Sequence, residues 1–191
     1  MEVSKLDKSI DTYTSHVSQN ARQQLADICI EQQSKKDSIL LKPNQTDDSE
    51  YILLKGIARI FLLNSEGEEI TLSFFEDNTV LPPFVTRTDN GKSLLYCETI
   101  TDCNFAKIDA KDFESLMIDN LEIRDFGNTV MRQELLNKVS KEIRMASWSA
   151  KERLEQFRKD FSMLENKIPH SMIASYLGIT NVSLSRLRKQ Y

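Results

Sequence analysis

The stretch IPHSMIASYLGITNVSLSRLRKQY, Ile168–Tyr191, holds two short helical patterns that meet at one glycine. A helix over 170–177 puts Ile173, Ala174 and Leu177 on a common face. A second helix over 181–190 puts Leu184 and Leu187, three residues apart, on the face that meets the first. Gly178 supplies the left-handed conformation that ends a helix at little cost. Thr180 is an N-capping residue type, and Ile179 plugs the corner between the two. Ala174 is small where crossing helices must approach closely. Two short helices, a tight glycine turn and a small residue in the first make the helix-turn-helix pattern.

Charge points the same way. Glu165 is the last acid, and Lys167, Arg186, Arg188 and Lys189 are the only charges after it. The whole chain carries −4, so the part before this basic tail carries −8. An acidic body with a basic end predicts an anionic partner for the end, although a solvated basic helix terminus accounts for the charge alone equally well. The second helix leaves Asn181, Val182, Ser183, Ser185, Arg186 and Lys189 off the packed side. In a helix-turn-helix these N-terminal residues enter the major groove of double-stranded DNA. Arginine suits guanine O6 and N7, asparagine suits adenine, and serine or a small apolar side chain suits thymine. Arg188, Lys189 and Lys167 are candidate phosphate contacts, which position without reading sequence. The rival expectation is a ligand-sensing or protein-interaction module whose terminal hairpin docks on a partner protein.

Upstream, 191 residues with 40% apolar content allow one large domain or two small ones. Residues 4 to 34 read as short helices. From Ser38 onward, SILLKP, YILLKGIARIFLL, EEITLSFF, SLLYCETI and NFAKI read as strands separated by turn signals. NSEGEE, Asn64–Glu69, predicts a hairpin with positive φ at Gly67. Alternation in the following run predicts Ile70, Leu72 and Phe74 on a buried face. Many short strands with regular turns suggest a sandwich or barrel.

After Ile108 the pattern is helical, with Asp109 as an N-cap. A long segment from about Ile118 to Ala146 carries Phe126, Val130, Leu135, Val139, Ile143 and Ala146 at helical spacing. It is either a core helix covering the strands or a two-helix seam joining a homodimer. Ser149 and Glu152 have capping-box spacing, so a new helix is expected there.

Several function classes are disfavoured. No apolar leader is present at the start, and no apolar run approaches the length of a membrane span, so a cytoplasmic location without membrane association is expected. Cys29, Cys97 and Cys103 are odd in number and scattered, which predicts packing residues rather than disulfides. The only histidines are His16 and His170, too few for a cupin metal site or a haem-sensing roll, and three dispersed cysteines do not make an iron–sulfur site. No phosphate-cradling loop or nucleophile elbow is found, so neither an enzyme, a catalytic residue, a metal nor a cofactor is expected.

The order of parts resembles the CRP/FNR family of transcription factors. The resemblance is most specific in HSMIASYLGITNVSLSRLRK and less so in YILLKGIARIFLLNSEGEEITLSFF and ITDCNFAKI. It implies an α+β fold: a cyclic-nucleotide-binding-type β-roll of jelly-roll kind over 1–118, a dimerisation helix over 119–147, and a helix-turn-helix domain over 148–191. It implies base-reading roles for Asn181, Val182, Ser183 and Arg186, a homodimer through Val130, Leu135, Val139 and Ile143, and RNA polymerase as a further partner. Two departures stand out. Where cyclic-AMP-binding members carry Gly-Glu and then Arg-Ser/Thr-Ala, this chain has VLPPFV (80–85) and GKSLLY (91–96), with Lys92 in place of arginine. Lysine lacks the bidentate fork, so tight cyclic AMP binding is not expected. An unidentified small-molecule effector in the roll would meet Arg87, Lys92 and Ser93. The sequence also stops shortly after the recognition helix, so the β-hairpin wing common in the family is expected to be lacking.

Overall fold

The structure is a computed structural model and describes residues 1–189. Its strands are β1 (Cys29–Ser34), β2 (Ile39–Leu41), β3 (Ser49–Lys55), β4 (Ala58–Leu63), β5 (Glu69–Phe75), β6 (Thr79–Val80), β7 (Thr88–Asp89), β8 (Lys92–Ser93), β9 (Tyr96–Thr99) and β10 (Cys103–Asp109). Its helices are α1 (Ser4–Tyr13), α2 (Gln19–Asp27), α3 (Phe84–Arg87), α4 (Ala110–Asp119), α5 (Leu121–Ser147), α6 (Ala150–Asp160), α7 (His170–Leu177) and α8 (Asn181–Arg188). The fold is a mixed α+β β-roll followed by a long helix. One sheet runs β1-β10-β3-β6, a second β2-β9-β4-β5, and β7-β8 form a small ribbon.

The chain forms two compact units. Met1–Ile60 with Phe74–Glu134 make the first, and Phe61–Ser73 with Leu135–Tyr191 the second. In the first, alternation along β3 and β10 gives the sheet two apolar faces. Tyr51 and Phe105 meet edge to face on one of them, at 6.3 Å between ring centroids. Ile52, Ala106 and Ile108 lie on the other and pack with Leu6 and Ile10 of α1, Leu25 of α2, and Ile123, Phe126 and Val130 of α5. Arg22 of α2 is buried there and spans Asp7 (2.9 Å) and Asp11 (2.5 Å).

Local expectations hold in several places. Gly67 has φ 79° in the β4–β5 turn, and Asn64 Oδ1 accepts from the N–H groups of Glu66 and Glu68. Asp109 caps α4 through Lys111 and Asp112 N–H, and Ser149 with Glu152 forms a complete capping box at α6. Three expectations are corrected. Residues 29–34 are a strand, because pairing along β10 outweighs their weak helical pattern; Cys29 is buried while Ile30 is 70% exposed. The run from Tyr51 to Leu63 is two strands, broken at Gly56. In β5 it is Thr71 that is buried, with Ile70 and Leu72 only half-buried.

The long segment also divides. Asn120 ends α4 and its side chain accepts from Glu122 and Ile123 N–H to open α5. Phe126 and Val130 belong to the first unit's core, whereas Leu135, Val139 and Ile143 are exposed.

Gly56 holds φ 114°, and a Cβ there would stand 2.6 Å from Cys103 Sγ and 2.7 Å from Asp102 O. Substitution Gly56→Ala combines a disfavoured backbone region with a clash against backbone. Urea denaturation should show a loss of roughly 2–4 kcal/mol.

Candidate nucleic-acid interface

The terminal helices are set by local chemistry. Gly178 ends α7 with φ 64° and ψ 38°, and Ile179 N–H donates back to Ala174 O at 3.0 Å. Thr180 Oγ1 accepts from Ser183 N–H at 3.1 Å, capping α8. Ile173, Ala174, Leu177 and Leu184 are buried; Leu187 and Ile179 are half-buried. Asn181, Val182, Ser185, Arg186 and Lys189 are exposed, and Ser183 is half-buried beside its cap. The expected extension of this helix to Gln190 lies outside the described residues.

The three candidate phosphate contacts differ. Lys167 and Lys189 are exposed. Arg188 is half-buried, its Nε 2.9 Å from Glu165 Oε1 and its Nη1 2.6 Å from His170 Nε2. Arg158 also grips Glu165, with Nε at 2.7 Å and Nη2 at 3.1 Å. The Arg158 hydrogen bonds, aided by the Arg188 charge, hold the Glu165 carboxyl below its ordinary range. The last acid of the chain is therefore neutralised by two arginines. Sequence reading missed this clamp, because Arg158 in α6 and Glu165 beyond its end are brought together only by the turn between them.

A second support comes from an edge strand. β5 ends its sheet, and an edge leaves backbone groups to be satisfied elsewhere. Thr71 N–H donates to Ser175 Oγ at 2.7 Å, and Ser175 Oγ donates to Glu69 O at 2.8 Å. Lys141 Nζ donates to Leu72 O at 2.6 Å and Thr71 O at 3.3 Å, and stands 3.9 Å from the centroid of the Tyr176 ring. Tyr176 in turn meets Phe157 and Phe161. Arg153 donates to Leu177 O at the end of α7 and to Trp148 O at the α5–α6 joint. Burial, with repulsion from Lys138 and Arg144, lowers the Lys141 ammonium to about 7.

In the roll, the candidate effector residues lie on or beside the β7–β8 ribbon, where Thr88 pairs with Ser93 and Leu94 N–H donates to Arg87 O, but they differ in exposure. Arg87 is fully buried; its Nη1 meets Asp47 Oδ2 at 2.5 Å, and its Nη2 donates to Ser49 O. Burial raises the Asp47 carboxyl despite that partner. Ser93 is buried, with Oγ donating to Leu95 O, whereas Lys92 is exposed in the β7–β8 ribbon. A cavity of about 230 Å³ is lined by Ser93 together with Lys42, Thr46, Asp47, Tyr51 and Lys107. Lys42 and Lys107 were not anticipated, because nothing in a single strand shows which lysine faces a cavity. The three cysteines are free and buried, and burial pushes the Cys29 and Cys97 thiols up to about 12. Among the described residues no group of His, Cys, Asp or Glu is placed to hold a metal, and no helix is long and apolar enough to cross a membrane.

Residues 31–120, just under half of the chain, match the family model of the cyclic nucleotide-binding domain. FixK2 from Bradyrhizobium japonicum superposes with a TM-score of 0.74 at 19% identity, covering 85% of this chain and 84% of its own. A chain from Eubacterium rectale, provisionally assigned as a CRP/FNR-family transcriptional regulator, gives 0.72 at 20% identity, covering 94% and 87%. The fold is that of the CRP/FNR regulators. CLP, the c-di-GMP-responsive global regulator of Xanthomonas campestris, shares this CRP/FNR fold with a TM-score of 0.71 at 14% identity, covering 91% of each chain. No curated protein matches the chain in sequence.

Lys141 gives a pH signature. Its folded-state value lies below the ordinary lysine value, so between about 7 and 10.5 the unfolded chain binds more protons and stability rises with pH. As pH falls through 7 that gain is gone. Denaturation midpoints should climb across this window, and Lys141→Met should flatten the climb; an unchanged slope in the variant would contradict a desolvated ammonium.

Proposed function

We propose that the protein is a sequence-specific DNA-binding transcriptional regulator of the CRP/FNR type. The observation that supports this most is the exposed start of α8: Asn181, Val182, Ser185 and Arg186 stand free of the packed face, and no acid follows Glu165. α7 and α8 are its helix-turn-helix, and α8 is the helix that enters the major groove. Asn181, Val182, Ser183 and Arg186 read bases. Lys167 and Lys189 contact phosphate, and Arg188 does so when its ion pair with Glu165 yields.

The protein acts as a homodimer on a near-palindromic site. Leu135 (64% exposed), Val139 and Ile143 (43% and 56%) recur every four residues on one face of α5, an apolar stripe that a second copy of α5 would cover, whereas Val130 belongs to the first unit's core. In functional terms residues 1–118 are the sensor domain, 119–147 the dimerisation helix and 148–191 the DNA-binding domain. RNA polymerase is the further partner this reading carries, and the protein is not an enzyme. Cyclic AMP is not its signal: the buried guanidinium of Arg87 is already held by Asp47 and Ser49, and Lys42 and Lys107 offer a phosphate only point charges.

Two substitutions separate reading from anchoring. Arg186→Ala should cost about 1–3 kcal/mol of discrimination between the selected site and a site altered at the matching base pair. Lys189→Ala should weaken binding to all sequences alike and flatten its salt dependence. Fluorescence anisotropy at two salt concentrations measures both. Uniform loss for Arg186→Ala would reassign it to phosphate, and no salt-resistant binding by the unmodified protein would favour a protein partner for the hairpin.

A further inference from the structure

The first unit holds a second cavity, of about 430 Å³, on the opposite face of the β1-β10-β3-β6 sheet from the Tyr51–Phe105 pair. Along β3, Tyr51 and Leu53 share one face, Glu50 and Ile52 the other; across the ladder Ile108 pairs with Glu50 and Ala106 with Ile52. The cavity lies on the Glu50 side, where the sheet meets α4 and α5. Its apolar wall is Ile52, Val80, Phe113, Met117, Phe126 and Val130. Its size suits a small organic ligand.

Glu50 is the polar group set in that wall. Its carboxyl receives one donor, the Phe84 N–H, at 3.0 and 2.9 Å from its two oxygens. A carboxylate has about four lone-pair sites, so one N–H leaves most of its capacity unused. Burial raises it to about 7. Arg87 and Asp47 act on it with opposite signs, and the Arg87 guanidinium is already engaged by Asp47 and Ser49. The exposed lining adds Asp48, Asp109 and Glu114 against Lys111 alone. An apolar chamber with an under-partnered carboxyl and a negative surround disfavours anions and gives a neutral ligand only burial. A cation with an apolar body gains both burial and an ion pair, and Phe113 and Phe126 add aromatic faces.

We propose that this cavity binds an apolar organic cation, an aromatic or aliphatic body bearing one ammonium group that pairs with Glu50. Binding there touches α5 at Phe126 and Val130 and the α3 segment at Phe84, and does not require the DNA-binding reading.

The test uses the full chain at pH 8, with 1-naphthylmethylammonium and the neutral 1-naphthylmethanol as probes in titration calorimetry. The ammonium should bind about tenfold more tightly or better, and Glu50→Gln should reduce the difference to within about twofold. Because Glu50 also holds Phe84, a second readout uses the unmodified protein: with ¹³C-methyl methionine, the ammonium should shift Met117 and Met131 and leave Met163 and Met172 in place. Equal affinity for the two probes, no saturable binding, or shifts confined to Met163 and Met172 would each overturn the proposal.

Discussion

The left-handed turn at Gly178 is the constraint on which the terminal part of the molecule depends. At φ 64° it lets α7 stop and α8 begin within three residues, so Leu177 and Leu184 are both buried and the start of α8 is left outside. A side chain at that position meets two obstacles at once. The backbone region is poor for any L-residue with a Cβ, and a Cβ would stand 2.5 Å from Met145 Cε of α5. The Met145 methyl ends a flexible, part-exposed side chain and can give way, so the left-handed backbone is the greater of the two. The exposed polar and basic row on α8 follows from that geometry, since residues turned away from Leu184 have nowhere else to point.

The same unit shows how an edge strand is managed by side chains instead of a further strand. Glu69, Thr71 and Leu72 of β5 find partners in Ser175 and Lys141. Placing an ammonium there costs desolvation, offset by two carbonyls and the Tyr176 face. In this way α5, α7 and β5 share one polar knot next to the aromatic cluster of Phe157, Phe161 and Tyr176. The Glu165 clamp plays a comparable part at the far end of α8, fixing Arg188 where a free arginine would sweep solvent.

Much of this was legible in the sequence because the signals were short-range. Asp109, Ser149 with Glu152, Thr180, Gly67 and Gly178 each act within four residues, and each lies where its chemistry predicts. The strand runs were visible from β-branched and aromatic content, but their pairing was not, so Cys29–Ser34 read as helix until β10 was beside it. Thr71 was misread as a solvated position because its partner, Ser175, is over a hundred residues away. Arg87 shows the same limit: the sequence offers it as an effector contact, and only the fold brings the buried Asp47 to it. Glu50 carried no sequence signal, since a single acid in a strand is ordinarily solvated.

The central claim is that the face of α8 bearing Asn181 and Arg186 enters the major groove twice, once from each copy of a dimer. Guanine N7 methylation protection on a fragment selected by the protein tests it most directly, because that atom lies in the groove the helix would fill. The account predicts two protected patches on symmetry-related half-sites about 34 Å apart. Binding that leaves every guanine N7 open to methylation, or protection spread evenly along the fragment, would contradict it.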